Sequence, residues 1–198
     1  MTLIQRNEVL IRSLSREDID KMKSWGKHED PLFFHYNFPD LNEEEGDYWY
    51  AIKNNRFRRK SFAIENEEKQ VIGYLSIRDI RWMRRESELG IVLDPKQMNK
   101  GYGKKSILKF LEYYFLKMHM QSLKLRAAKY NERAMRCYQV CGFKTIGECY
   151  NEFEDQYAEI FYNPKYKDLK KIFKNKRGMM MTKYVHMKIT KEDFCDRV

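Results

Sequence analysis

No apolar stretch in this 198-residue chain approaches the roughly 20 residues that a membrane-spanning helix needs. The first residues, Met1-Thr2-Leu3-Ile4-Gln5-Arg6-Asn7-Glu8, lack the apolar core of a secretory signal. Cysteine is scarce as well. Cys137, Cys141, Cys149 and Cys195 make no secreted disulfide framework in a chain of this size without a signal. Cys137 and Cys141 stand four apart on an expected helix. His28, His35, His119 and His186 are scattered and complete no ligand set, so the thiols read as packing groups and no metal is expected. These absences point to a cytoplasmic protein with no membrane partner.

Two familiar phosphate loops are also missing. A Walker loop has four residues between its glycines and then Gly-Lys-Ser/Thr, whereas Gly101 and Gly103 are one residue apart. The dinucleotide fingerprint needs a third glycine where Ser106 stands. Strand signatures of RNA readers are absent too, so no nucleic-acid partner is expected despite the basic balance.

The chain does have ample material for a core, with 42% apolar and 15% aromatic residues. A single domain over residues 1–198 is expected, with an insertion at about 151–178. The net charge is +10, but it is unevenly spread. Asp40, Glu43, Glu44, Glu45 and Asp47 share one window without a basic residue, and Glu148, Glu152, Glu154, Asp155 and Glu159 share another. Positive charge gathers at Arg56–Lys60, Arg78–Arg85, around Lys100–Lys105 and over Lys165–Arg177. An anionic cofactor held at one place and a cationic acceptor at another would produce such a split.

The most informative stretch is Val92-Leu93-Asp94-Pro95-Lys96-Gln97-Met98-Asn99-Lys100-Gly101-Tyr102-Gly103-Lys104-Lys105. A strand-like run ends at proline, and a short turn delivers Gly-x-Gly to the first turn of an amphipathic helix. Free backbone N–H groups at the positive end of the helix dipole can grip phosphate oxygens. Glycine permits close approach and positive φ there.

Strands are expected at Val9–Leu14, Ser61–Glu65, Val71–Asp79, Glu86–Leu93, Leu123–Ala127, Phe143–Tyr150 and near Met180–Ile189. Helices are expected at Arg16–Trp25, Glu43–Arg56, Tyr102–Met118 and Glu132–Val140, with a basic helix at Lys165–Lys174; Pro31–Asp40 reads as an aromatic-rich loop. Hairpins mixed with βαβ crossovers imply an α/β fold with a mixed sheet flanked by helices.

Glu88-Leu89-Gly90-Ile91-Val92-Leu93 before the loop, and Asn131 with Tyr138 and Gly142-Phe143 after it, complete a pattern. From Val9 to Tyr150 it resembles the GNAT acyl-CoA N-acyltransferases, and most nearly the branch of spermidine and ribosomal-protein N-terminal acetyltransferases. One departure is that Met98 stands where that family carries Gln or Arg. The resemblance implies a three-layer fold with a splayed central sheet, and acetyl-CoA as cosubstrate. It implies that Met98, Asn99, Lys100, Gly101, Tyr102, Gly103 and Lys104 bind the pyrophosphate. Ile91, Val92 and Leu93 would line the pantetheine arm, and Asn131 would meet that arm or simply cap its helix.

Tyr138 is then the general acid for the departing thiol, or else a packed core tyrosine. Glu88 is the general base, through a raised pKa in a buried setting, or an anchor for the acceptor; Glu86 is the fallback. The implied reaction is acetyl transfer to a primary amine by direct attack. The expected acceptor is a small cationic, polyamine-like amine bordered by the two acidic windows. Protein N-terminal acetylation and non-catalytic CoA or RNA binding are the alternatives, and a homodimer is left open.

Overall fold

Val71 to Ile77 is buried on both faces, as a strand in the middle of a sheet covered on two sides must be. In the computed structural model, which describes residues 8–54 and 57–197, this run forms β3 (Val71–Arg81). Residues 1–7, and Arg56, the expected end of the second helix, lie outside the described residues.

The sheet runs in the order β1 (Leu10–Ser13), β2 (Arg59–Glu65), β3, β4 (Glu86–Leu93), β5 (Ser122–Ala128), β8 (Met179–Thr190) and β6 (Lys144–Glu152), with β7 (Phe173–Lys176) pairing along β8. All pairings are antiparallel except β4 with β5. That parallel pair holds only from Glu86 to Glu88, opposite Ser122 to Lys124. Beyond Glu88 the two strands part, so Leu89–Leu93 has no β5 partner. The expected splay is therefore present, and it opens a slot in the middle of the sheet.

On one face, α1 (Arg16–Met22) and α2 (Glu43–Lys53) cover β1 to β3, with Ile19, Met22, Trp25 and Phe38 packed on Ala63, Val71 and Tyr74. On the other lies α3 (Tyr102–Glu112), extended by a π-helical stretch at Tyr113–Lys117, followed by α4 (Glu132–Val140). Ile107, Phe110, Leu111 and Tyr114 of the long helix are fully buried. At about 1.5–3 kcal/mol for each large apolar side chain, this face fixes α3 against the sheet. Gly142 takes φ +103 just after α4, the left-handed stop expected at that position.

α1 is anchored by a buried charge. Asp18, fully out of solvent, receives Arg12 Nη1 at 2.6 Å and the Ser15 backbone N–H at 2.9 Å. Burial alone would raise its pKa, but Arg12 and Ser15 outweigh it and hold the carboxyl at about 2.

The expected basic helix at Lys165–Lys174 is not formed. Short 3-10 turns at Pro164–Tyr166 and Leu169–Ile172 lead straight into β7. Phe173 is buried with Phe153 and Ile160, and Phe161, Tyr166 and Leu169 pack against them. This spacing of apolar groups has no helical period, so the satellite core wins over the local lysine-rich composition. The Pro31–Asp40 loop carries a 3-10 turn at Pro31–Tyr36, and α5 (Lys191–Cys195), capped by Thr190 and Asp193, follows β8.

Candidate active site

The slot between β4 and β5 continues into a cleft of about 650 Å³ that passes under the Pro31–Tyr36 turn. One end belongs to the head of α3. Gly101 is its N-cap at φ +84, and Asn99 two residues earlier is also left-handed at φ 63. The first intrahelical bond runs from the Lys105 N–H to the Gly101 carbonyl, so the amides before Lys105 head the helix without an intrahelical partner. Left-handed residues in such a turn gather N–H groups into an anion-binding concavity. A Cβ on Gly101 would meet no heavy atom within 4 Å; the cradle is open, and it fits a pyrophosphate at a helix N-terminus. Met98, Asn99, Gly101, Gly103 and Lys104 line the cleft, as do Arg133 and Arg136 of α4.

Lys100 and Tyr102 do not line it. Lys100 Nζ donates to Gln97 at 2.9 Å, and the Tyr102 hydroxyl donates to Glu67 at 3.1 Å. Their contribution to the cradle is therefore that of the backbone.

Ile91, Val92 and Leu93 form the wall beside the cradle. Their strand lacks a parallel neighbour at this level, which leaves backbone groups on the slot side for an extended, amide-bearing ligand. Asn131 caps α4, its side-chain oxygen accepting from the Ala134 N–H at 3.2 Å, and it also lines the cleft. The capping role is present, and the position on the lining leaves the side chain beside the slot.

Tyr138 lies two turns along α4 and faces the cleft, its ring edge-on to Phe143 at 6.0 Å. Burial raises its phenol pKa well above the ordinary value, so the hydroxyl stays protonated throughout the neutral range. Among the described residues no hydrogen bond is recorded for that hydroxyl. It is a proton donor in want of an acceptor.

Glu88 stands opposite Arg78 in the β3–β4 register. Its carboxylate is ion-paired with Arg78, and Arg126 Nε lies 3.6 Å away. The two guanidinium groups line the cleft in front of it. The buried setting expected for Glu88 is thus a partly exposed one shared with two arginines. Glu86 is held by Lys124 at 2.9 Å and Arg81 at 3.1 Å, and Lys124 first of all lowers its pKa.

The rest of the cleft comes from residues far apart in sequence. Phe33, Tyr36, Phe38, Trp49, Tyr74 and Tyr184 give it aromatic walls. Lys53 Nζ lies 5.0 Å from the Trp49 ring centroid and 5.6 Å from that of Tyr74. His35 contributes a ring whose buried nitrogens have no hydrogen-bond partner among the described residues, and burial lowers its pKa. Tyr184 is pushed up by burial to about 12. Glu154 is the acid of the cleft mouth: its charge acts on Tyr36, Tyr74, Tyr184, Lys53 and Arg78. No ion pair or hydrogen bond is recorded for it among the described residues.

Of the two acidic windows, Glu154 alone reaches the lining. Asp47 pairs with Arg16, Glu45 closes the cap of α2 through Asn42, and none of the first window's acids lines the cleft. Those acids answer the needs of a helix N-terminus. No spacing in the sequence joins Lys53, Arg78, Arg126 and His35 into one site, because only the fold brings them together.

Residues 8–144 match the family model described as acetyltransferase (GNAT) domain. Spermidine N(1)-acetyltransferase of Vibrio cholerae serotype O1 is 25% identical over 182 residues, covering 91% of this chain and 97% of the relative. The Escherichia coli K12 enzyme of the same name is 24% identical over 148 residues, covering 74% and 78%. The solved structure of the Vibrio cholerae spermidine N-acetyltransferase in complex with CoA and spermine superposes with a TM-score of 0.70 at 21% identity, covering 95% of this chain and 98% of that one.

Proposed function

The chain belongs to the GNAT family of acetyltransferases, and from that premise we propose that it moves the acetyl group of acetyl-CoA onto a primary amine of a small polyamine. The observation that carries the acceptor class is Glu154, a carboxylate with no ion pair among the described residues, on the lining of an aromatic-walled cleft. Ring faces and an anion are what an alkylammonium seeks once it leaves water. The spermidine acetyltransferases of similar sequence point the same way.

The α3 amides, with Lys104, Arg133 and Arg136 near them, hold the phosphates. The unpaired length of β4 aligns the pantetheine arm, so the thioester lies at the splay, between Gly90 and Tyr138. Glu154 takes a charged nitrogen of the acceptor. The nitrogen that attacks must first lose a proton, and Glu88 receives it directly or through water, with Arg78 and Arg126 orienting the carboxylate. Tyr138 gives its proton to the thiolate as the carbon–sulfur bond breaks. Proximity in the cleft supplies much of the acceleration, since both reactants are held for direct attack.

Thiol release from acetyl-CoA, followed with spermidine, a monoamine, an aminoglycoside and an N-terminal peptide in parallel, tests the reading. Spermidine should give the highest kcat/KM. A preference for the peptide or the aminoglycoside would overturn the acceptor class.

A further inference from the structure

Lys53 differs from the lysines that the fold pairs with carboxylates. Lys21, Lys23, Lys124, Lys129, Lys144, Lys171 and Lys183 each lie within ion-pair distance of a carboxylate. Lys53 has no such partner among the described residues, and its amine is recorded in no hydrogen bond. It ends α2, and its chain runs into the cleft over the faces of Trp49 and Tyr74. Tyr74 stands opposite Val92 in the β3–β4 register, and Ser76 stands opposite Gly90. The ring that holds the Lys53 amine is thus the cross-strand neighbour of the β4 residues along the slot.

We propose that Lys53 is an internal acetyl acceptor, modified by the acetyl-CoA bound in its own cleft. The inference rests on the acetyl-CoA reading above, but not on the identity of the external amine. Its chemistry is that of the main reaction. The Lys53 nitrogen lone pair forms a bond to the thioester carbonyl carbon and the carbon–sulfur bond breaks. The sulfur takes the Tyr138 proton, and the surplus proton on nitrogen leaves to water, from which Tyr138 is reprotonated. The products are N-acetyl-Lys53 and CoA.

Only an uncharged amine can attack, and the surroundings of Lys53 favour that form. Burial lowers its pKa first, and the charges of Arg59 and Arg78 act in the same direction. Glu154 and the two ring faces oppose them. Acetylation would also remove a cation that forms no ion pair among the described residues from a cleft that already holds Arg78 and Arg126. A cationic acceptor would then enter against less repulsion.

The test uses the full chain and acetyl-CoA carrying a deuterated acetyl group, with no amine added. Mass-spectrometric peptide mapping reads the label at every lysine, and a second aliquot is assayed with spermidine. The expected result is label at Lys53 at least about tenfold above that at exposed lysines, the ratio that about 1.4 kcal/mol of preferential reaction gives. Tyr138→Phe should lose the Lys53 label and keep the low background elsewhere; Lys53→Arg should lose it while still binding acetyl-CoA. Label at Lys53 no higher than background, or unchanged in a folded Tyr138→Phe, overturns the proposal. So does absence of label in a preparation that acetylates spermidine. A preparation that acetylates neither Lys53 nor any added amine overturns the catalytic reading as well.

Discussion

Replacing Tyr138 with phenylalanine removes one oxygen and leaves the ring in place. The ring packs edge-on against Phe143, and no protein hydrogen bond is recorded for the hydroxyl among the described residues. The change should therefore cost the fold less than about 1 kcal/mol, as an unpaired polar group does when it is lost. The effect on chemistry should be much larger. A positioned general acid contributes about 10²- to 10⁴-fold, which corresponds to about 2.7–5.5 kcal/mol in the barrier. Initial rates of thiol release should fall by that factor in kcat, while calorimetric acetyl-CoA affinity stays within about twofold, because the α3 cradle is untouched. Burial raises the Tyr138 pKa above the ordinary phenol value near 10. The acid form thus persists below that point and is lost only at higher pH, so the native enzyme should show no acid-group decline between about pH 7 and 10. Near-normal turnover in a folded mutant, or an equal loss of cofactor affinity, would refute the role.

Gly101→Asp puts a negative charge in the cradle proposed to hold the pyrophosphate. Its Cβ has open space but a φ of +84, so the fold should survive at a cost of about 1–2 kcal/mol while acetyl-CoA affinity, read by calorimetry, falls at least about tenfold. Glu154→Gln should raise KM for spermidine by about fivefold, as the loss of a partly exposed charge contact of about 1 kcal/mol implies, with little change for a monoamine and a smaller effect in high salt. Glu43, Glu44 and Glu45 changed together to Gln should leave both KM values unaltered, since they lie outside the cleft lining. Asp18 has a folded pKa of about 2, below its unfolded value. Its contribution of about 2 kcal/mol is present above about pH 4 and lost as pH falls toward 2; in chemical denaturation, Asp18→Asn should flatten that part of the acid profile.

The parts of the site that are contiguous in sequence were legible there. Proline, a short turn and Gly-x-Gly announced the head of α3, and the run from Glu88 to Leu93 announced the strand beside it. Asn131 and Tyr138, two turns apart on one helix, came with the family resemblance. The proposed acceptor half was not legible, because Lys53, Arg78, Arg126 and Glu154 come from α2, β3, β5 and the segment after β6, and no spacing relates them. Acidic composition alone could not separate Glu154 from Glu43–Glu45, since a helix N-terminus recruits acids for its own reasons. The stretch after Pro164 misled in the opposite sense: its lysines suggested a helix, but Tyr166, Leu169 and Phe173 are spaced to pack on Phe153 and Ile160.

The central claim is that this chain joins an acetyl group to a polyamine nitrogen at the splay of β4 and β5. The most direct measurement is mass spectrometry of the small-molecule fraction after incubation of the protein with deuterated-acetyl CoA and spermidine. The account predicts labelled monoacetyl-spermidine formed in step with free CoA, and no such product from Tyr138→Phe beyond a trace. CoA released without labelled polyamine, or labelled polyamine formed equally well by the Tyr138→Phe protein, would contradict it.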